Sequence, residues 1–289
     1  MIAIFKREYK SYFISMIGYI FIAMLLMVVG LCYYWINLHN ANPFIGYSLQ
    51  YSYVQIAFMV LVPVVTMRIF ADERRLKTDQ LLLTAPVTVT KIVMGKFLAI
   101  AAVFVIPIAV ICIYPIMLMQ YGTINVAMSY VCILGFFLMG LAYISIGMFV
   151  SSLTESSIIS AVVTFIILMF SFMISSLTSV IPSTAIVSFV VFVALAAIVG
   201  AIIGMLTRDR RIGFLVGAVL ELVVIVLYIV KSSIFEGLIQ KVLLQLSISG
   251  YYDKFVGGVL DLRGVIYYIS VIIFFLFLTV QSVEKRRYN

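Results

Sequence analysis

The residues with the most chemistry in this 289-residue chain stand together. Arg68, Asp72, Glu73, Arg74, Arg75, Lys77, Thr78, Asp79 and Gln80 form an island, Arg68 to Thr90, between two long apolar segments. In a sequence that is 65% hydrophobic and only 10% charged, both signs gathered in one place read as a surface for another protein rather than for lipid. The plainer alternative is a solvated loop. The other candidate is Glu221, read as the one ionisable residue deep within an apolar run. A carboxylate in hydrocarbon is costly, so a proton or substrate role competes with a hydrogen-bonded packing role. With no intramembrane Lys, Arg, His or second acid read beside it, a proton relay has no members.

The remaining reactive types are sparse. His39 is the only histidine, and Cys32, Cys112 and Cys132 have no paired spacing, so metal, disulfide and hydrolase constellations are unpopulated. Met94-Gly-Lys96 superficially suggests a phosphate loop, but Thr90 stands five residues before Gly95 and no strand precedes it. An enzyme acting alone is not expected, and the chain is expected to hold no cofactor. Energy for uphill transport would have to arrive through a protein partner.

The elements around the island are membrane elements. Apolar runs of about 20 residues match a hydrocarbon core crossed as a helix. They fall at 15–36, 54–71, 92–119, 128–150, 158–178, 186–206, 212–230 and 265–283. The fold class expected is an all-α membrane protein: a polytopic helical bundle of about eight spans in a single domain over 1–289. The first run follows Lys6, Arg7 and Lys10 but is too long for a signal peptide and is read as retained.

The net charge of +8 is placed by the positive-inside rule rather than by nucleic acid. With the N-terminus in the cytoplasm, fifteen of the nineteen Lys and Arg fall inside, and the other four (Lys231, Lys241, Lys254 and Arg263) share one outer loop. Both termini are then cytoplasmic. This reading also keeps Arg208, Arg210 and Arg211 inside, which favours eight spans over seven.

Residues 1–14 read as an interfacial helix, with Ile2, Phe5, Tyr9, Tyr12 and Phe13 on one face, or as a basic stub that sets topology. Gly200-x-x-x-Gly204 and Gly213-x-x-x-Gly217 flank a short turn and predict a tight hairpin over 186–230, favoured over a dimer seam. The outer loop 231–264 carries an amphipathic stripe from Ile234 to Leu246, a lid over a pathway or an interfacial prop. Tyr251, Tyr252, Phe255, Tyr267 and Tyr268 read as an aromatic belt at the membrane surface.

The island itself, Val62 to Val87, resembles the first cytoplasmic loop of ABC type-2 exporter permeases, especially the gliding-motility-associated branch. That loop typically carries paired acids, a basic pair, Gly-Thr, an acid and Leu-Leu-Leu-Thr-x-Pro; here the stretch ends Leu81-Leu82-Leu83-Thr84-Ala85-Pro86. Tyr143 to Glu155 resembles the end of the family's fourth span, and Phe255 to Tyr268 its entry into the last one.

The resemblance implies a bacterial plasma-membrane permease that pairs with a second permease half, itself or a related chain, and the gliding-motility branch suggests a related half with an external domain. ABC ATPase subunits would dock from the cytoplasm and bind ATP and Mg, with no nucleic acid involved. It implies a coupling helix over 72–86, with Asp72, Glu73, Arg74 and Arg75 near the ATPase and Leu81 to Leu83 toward the membrane. Lys77 stands where the family usually has Gly, and Gln80 where it usually has an acid. A secondary transporter using Glu221 and a non-transporting assembly subunit are the alternatives.

Overall fold

Lipid offers no hydrogen bonds, so an apolar run that crosses it must satisfy its backbone internally as a helix. The computed structural model is helical, with no strand among the described residues, which are 1–78, 87–120, 124–180, 182–206, 210–231 and 235–288. The helices in chain order are α1 (Ile2–Ile14), α2 (Ile17–Tyr33), α3 (Gly46–Gln50), α4 (Ser52–Thr66), α5 (Arg68–Arg75), α6 (Val89–Ile111) and α7 (Tyr114–Leu118). They continue with α8 (Val126–Leu153), α9 (Ser157–Val180), α10 (Ala185–Leu206), α11 (Arg210–Val230), α12 (Leu238–Leu246), α13 (Ile248–Val256) and α14 (Leu262–Tyr288).

Among the described residues, six stretches are long and apolar enough to cross a membrane: Ile17–His39, Ser52–Arg75, Val89–Leu118, Val126–Leu153, Ser157–Ile174 and Leu262–Arg286. The two further expected runs coincide with α10 and α11, whose described apolar stretches, Ala185–Ile198 and Phe214–Val230, are shorter. The chain divides into two compact units, one of residues 1–170 and 251–289 and one of residues 171–250.

In the first unit α8 is the most enclosed of the six long stretches, and close approach to it depends on glycine. A Cβ at Gly140 would lie 2.3 Å from Phe104 Cε1, and one at Gly147 would lie 2.3 Å from Thr66 Oγ1. The rings of Phe58, Phe104, Phe136 and Tyr143 fill the space so opened, with Phe58 5.3 Å from Phe104 and 5.1 Å from Phe136 between centroids. Beyond α2 the chain winds into a π-helix, Tyr34–His39. There buried Asn37 donates to the carbonyls of Asn42 (2.8 Å) and Phe44 (2.9 Å) and accepts from Ser48, pinning the following loop. His39 stacks on Trp35.

The aromatic belt is corrected. Tyr252, Phe255 and Tyr268 are buried rather than displayed to lipid. Phe255 lies against Gly135 and Gly264, and Tyr252 meets Cys132 Sγ at 3.2 Å and the Phe136 ring. Phe136 is ten residues into α8, about 15 Å along the helix, so α13 reaches well into this unit. Only Tyr251 and Tyr267, stacked at 4.2 Å, keep partial exposure.

In the second unit α10 and α11 run along each other, with the Cβ position of Gly217 3.5 Å from the Gly200 Cα. Phe189, Tyr228 and Phe235 cluster near one end of the pair. Gly237, at φ +65°, starts α12 and donates to the Ser183 carbonyl. Glu221 sits midway along α11, half-buried, with no hydrogen bond or ion pair among the described residues.

Candidate functional site

The island begins where a membrane-length helix breaks. Pro63 in α4 has no amide hydrogen to donate, and Thr66 Oγ1 turns back onto the Val62 carbonyl at 2.9 Å, so the helix is loosened just before α5. The early amides of α5 are then met from α8. Ser151 Oγ accepts from Phe70 N (3.2 Å) and Ala71 N (3.3 Å) and donates to the Met67 carbonyl (3.0 Å). Gly147 and Ser151 lie four residues apart on one face of α8, so the Tyr143–Glu155 motif is the wall against which the island is folded.

The charges divide by direction. Asp72 accepts from Ser157 Oγ at 2.5 Å at the start of α9, and Arg68 Nε lies 3.8 Å away on its own helix. Arg74 is buried and donates to the Thr154 carbonyl at 3.4 Å. Glu73 is held by two helices, with Oε2 2.7 Å from Lys96 Nζ in α6 and Oε1 3.3 Å from Arg7 in α1. Lys96 is 1% exposed; it also donates to the Ile69 carbonyl at 2.8 Å, lies 3.8 Å from Glu8 of α1 and sits 4.9 Å from the Phe70 ring centre. Arg75, Leu76, Lys77 and Thr78 face outward.

A defined turn presents those four residues. Thr78 N donates to the Glu73 carbonyl and Lys77 N to the Arg74 carbonyl, each at 3.0 Å. This is a Schellman cap, whose left-handed position favours glycine. Lys77 occupies that position at φ +55°, which gives a backbone reason for the Gly usual there in the resembling family. The expectation of one helix over 72–86 is therefore modified: α5 ends at Arg75 and a turn follows. Asp79, Gln80 and Leu81 to Leu83 lie outside the described residues.

Helix α1 lies alongside. Gly95 permits it, since a Cβ there would meet Ile4 Cγ2 at 3.2 Å. Phe5, Tyr9 and Phe13 stack along one side and continue to Tyr19. Tyr12 is buried and donates to the Val65 carbonyl at 3.2 Å; burial pushes its hydroxyl pKa well up, and the Glu8 and Glu73 charges push it further. A cleft of about 310 Å³ opens between α1 and α5, lined by Arg7, Glu8, Tyr12, Arg68, Asp72 and Glu73 among others. At the same end Arg286 of α14 approaches Glu155 at 3.9 Å and Ser282 donates to the Ser152 carbonyl at 3.2 Å, so both chain termini lie there.

The structure thus gathers Asp72, Glu73, Arg74, Arg75, Lys77 and Thr78 at one end of the first unit, while Glu221 belongs to the second. Sequence reasoning passed over Lys96, Glu8, Arg7, Ser151 and Ser157. In the sequence Lys96 reads as a topological charge and as the end of a discounted Met94-Gly-Lys96 phosphate loop, although it lies inside the run beginning at 92; a cation there needs a carboxylate, and Glu73 supplies it. Among the described residues no three His, Cys, Asp or Glu side chains come together as a metal site.

These features define a multi-pass helical membrane protein whose densest described charge cluster is folded against the ends of several helices. A family model described as ABC-2 family transporter protein matches residues 7–171, more than half of the chain, and the chain belongs to that family. It is accordingly a transmembrane permease of the ABC transporters, a class that generally works with an ABC ATPase partner. Comparison with curated proteins and with solved structures finds no match.

Proposed function

We propose that this chain is the membrane subunit of an ABC exporter, in which a separate ATPase docks at the end bearing α5 and both termini. The observation that carries this is the division of charge in the island. Asp72, Glu73 and Arg74 are fastened to α9, α6, α1 and the α8 terminus, whereas Arg75, Leu76, Lys77 and Thr78 are presented on a capped turn. A contact made on that turn is mechanically continuous with four helices. ATP and Mg would be bound by the ATPase, whose closure pushes on this turn and biases the bundle toward an outward-open state.

On this reading the docking end is cytoplasmic, the membrane is a bacterial plasma membrane, and α10 and α11 complete eight spans. The docking segment continues through Asp79 and Gln80, and Lys77 and Gln80 adapt it to a dedicated partner. A second permease half, identical or related as in the gliding-motility branch, completes the transporter. The substrate is amphipathic, of lipid or peptide type, a class that apolar helix walls suit.

The test is co-purification with an ABC ATPase of the same cell. The wild type is expected to bring the ATPase down and Arg75→Glu/Lys77→Glu to lose it; an unchanged yield with both charges reversed overturns the docking assignment. The secondary-transport reading rests on Glu221, which lies midway along α11 without a described partner. Transport driven by a pH gradient without ATPase, and lost in Glu221→Gln, would favour it instead.

A further inference from the structure

We propose that Lys96 is a positioning residue that locks α1 to the end of α5, so that the two helices respond to the ATPase as one lever. This rests on the reading of the α5 turn as the docking surface. A lysine ammonium withdrawn from water is costly, and a matched apolar filling would serve stability as well or better. The acceptors Lys96 has here come from two different helices. Glu73 Oε2 at 2.7 Å and the Ile69 carbonyl at 2.8 Å belong to α5, and Glu8 at 3.8 Å belongs to α1.

Glu73 repeats the pattern in reverse. One of its carboxylate oxygens is held by α6 through Lys96, and the other by α1 through Arg7 at 3.3 Å. The Glu73 carbonyl in turn accepts from Thr78 N at 3.0 Å and Thr78 Oγ1 at 3.3 Å, so the outward turn is bonded to the backbone of the very residue whose side chain grips α1 and α6. A displacement at Thr78 therefore reaches α1 through two bonded steps. Helix α1, stacked by Phe13 onto Tyr19 of α2, carries it to the first span.

The test uses the full permease with its ATPase, spin-labelled at cysteines placed at Lys10 on α1 and Tyr53 at the start of α4, both exposed, with the native cysteines replaced. A non-hydrolysable ATP analogue is expected to shift the interlabel distance in the wild type and in Lys96→Arg. In Lys96→Met/Glu73→Met, which removes both ionic partners, the complex should still form through the unchanged turn while at least half of the shift disappears.

Arg7→Ala/Glu8→Gln cuts only the α1 side and leaves the Lys96–Glu73 pair, and it should lose the shift in the same way. A full shift in either double variant overturns the proposal, as does a wild-type complex that shows none. Failure of the wild type to bind the ATPase at all would instead overturn the docking assignment on which it rests.

Discussion

Replacing Lys96 by Met removes a cation whose charged partners remain. Glu73 Oε2, 2.7 Å away, and the Glu8 carboxylate, 3.8 Å away, would be left facing one another in a site where the lysine is 1% and the glutamate side chains 15–16% exposed. Breaking a buried pair from one side costs about 3–5 kcal/mol. Arg7, still 3.3 Å from Glu73, keeps the loss at the lower end, about 3 kcal/mol.

Removing Glu73 as well, in Lys96→Met/Glu73→Met, takes away the stranded acid and restores apolar volume. That double variant should return to within about 1 kcal/mol of wild type. For a body of this size, about 3 kcal/mol corresponds to a fall of roughly 6–12 °C in the unfolding midpoint. Thermal unfolding of the purified permease in one detergent at one scan rate reads both variants against wild type. If the single variant is as stable as wild type, or the double variant loses as much as the single, the reasoning about a buried, mutually dependent pair is refuted.

Three further outcomes follow from local geometry. Lys77→Gly relieves a left-handed backbone at φ +55° and should raise stability by about 0.5–1 kcal/mol, read as a higher midpoint; a loss would contradict the cap assignment. Gly140→Ala would drive a methyl to 2.3 Å from Phe104 Cε1, at a cost of about 1–3 kcal/mol that Phe104→Leu should partly recover; an unchanged midpoint would mean α8 packs differently. Asp261 is held below the ordinary carboxylate range by the hydrogen bond from Lys254, 3.0 Å away, and then by that from the Arg263 amide. A depressed carboxylate stabilises while ionised. Any advantage over Asp261→Asn should be full at neutral pH and decline only as the pH falls below about 4 and through the lowered folded pKa; an advantage that shows no decline between neutral pH and about pH 2 would contradict it.

The helical character and the location of the six long stretches were legible because hydrocarbon enforces both length and apolarity, and neither needs a partner to be read. The island was legible for the opposite reason, as charge with no place in lipid. Direction was not. Nothing in Asp72-Glu73-Arg74-Arg75 says that the first three turn inward and the fourth outward, because that depends on Ser157, Lys96 and the Thr154 carbonyl arriving from other helices. Lys96 stands near the start of its apolar run, where a topological charge is expected, and nothing local to it shows the Glu73 that arrives from α5.

The aromatic belt failed because Tyr and Phe suit a membrane interface and a protein interior equally; what decides between them is the gap that Gly135 and Gly264 leave for Phe255. The departure at Lys77 was visible as a residue out of pattern, but its meaning is a backbone angle, which composition does not carry.

The most direct test of the account is proximity at the exposed turn. A photo-crosslinking residue placed at Arg75 or Lys77 should form an adduct with the ABC ATPase in intact membranes, whereas the same residue at Tyr53, at the start of α4, should not. An assembled, ATP-hydrolysing complex that yields no adduct from either turn position would contradict the claim that the ATPase works on the membrane through this segment.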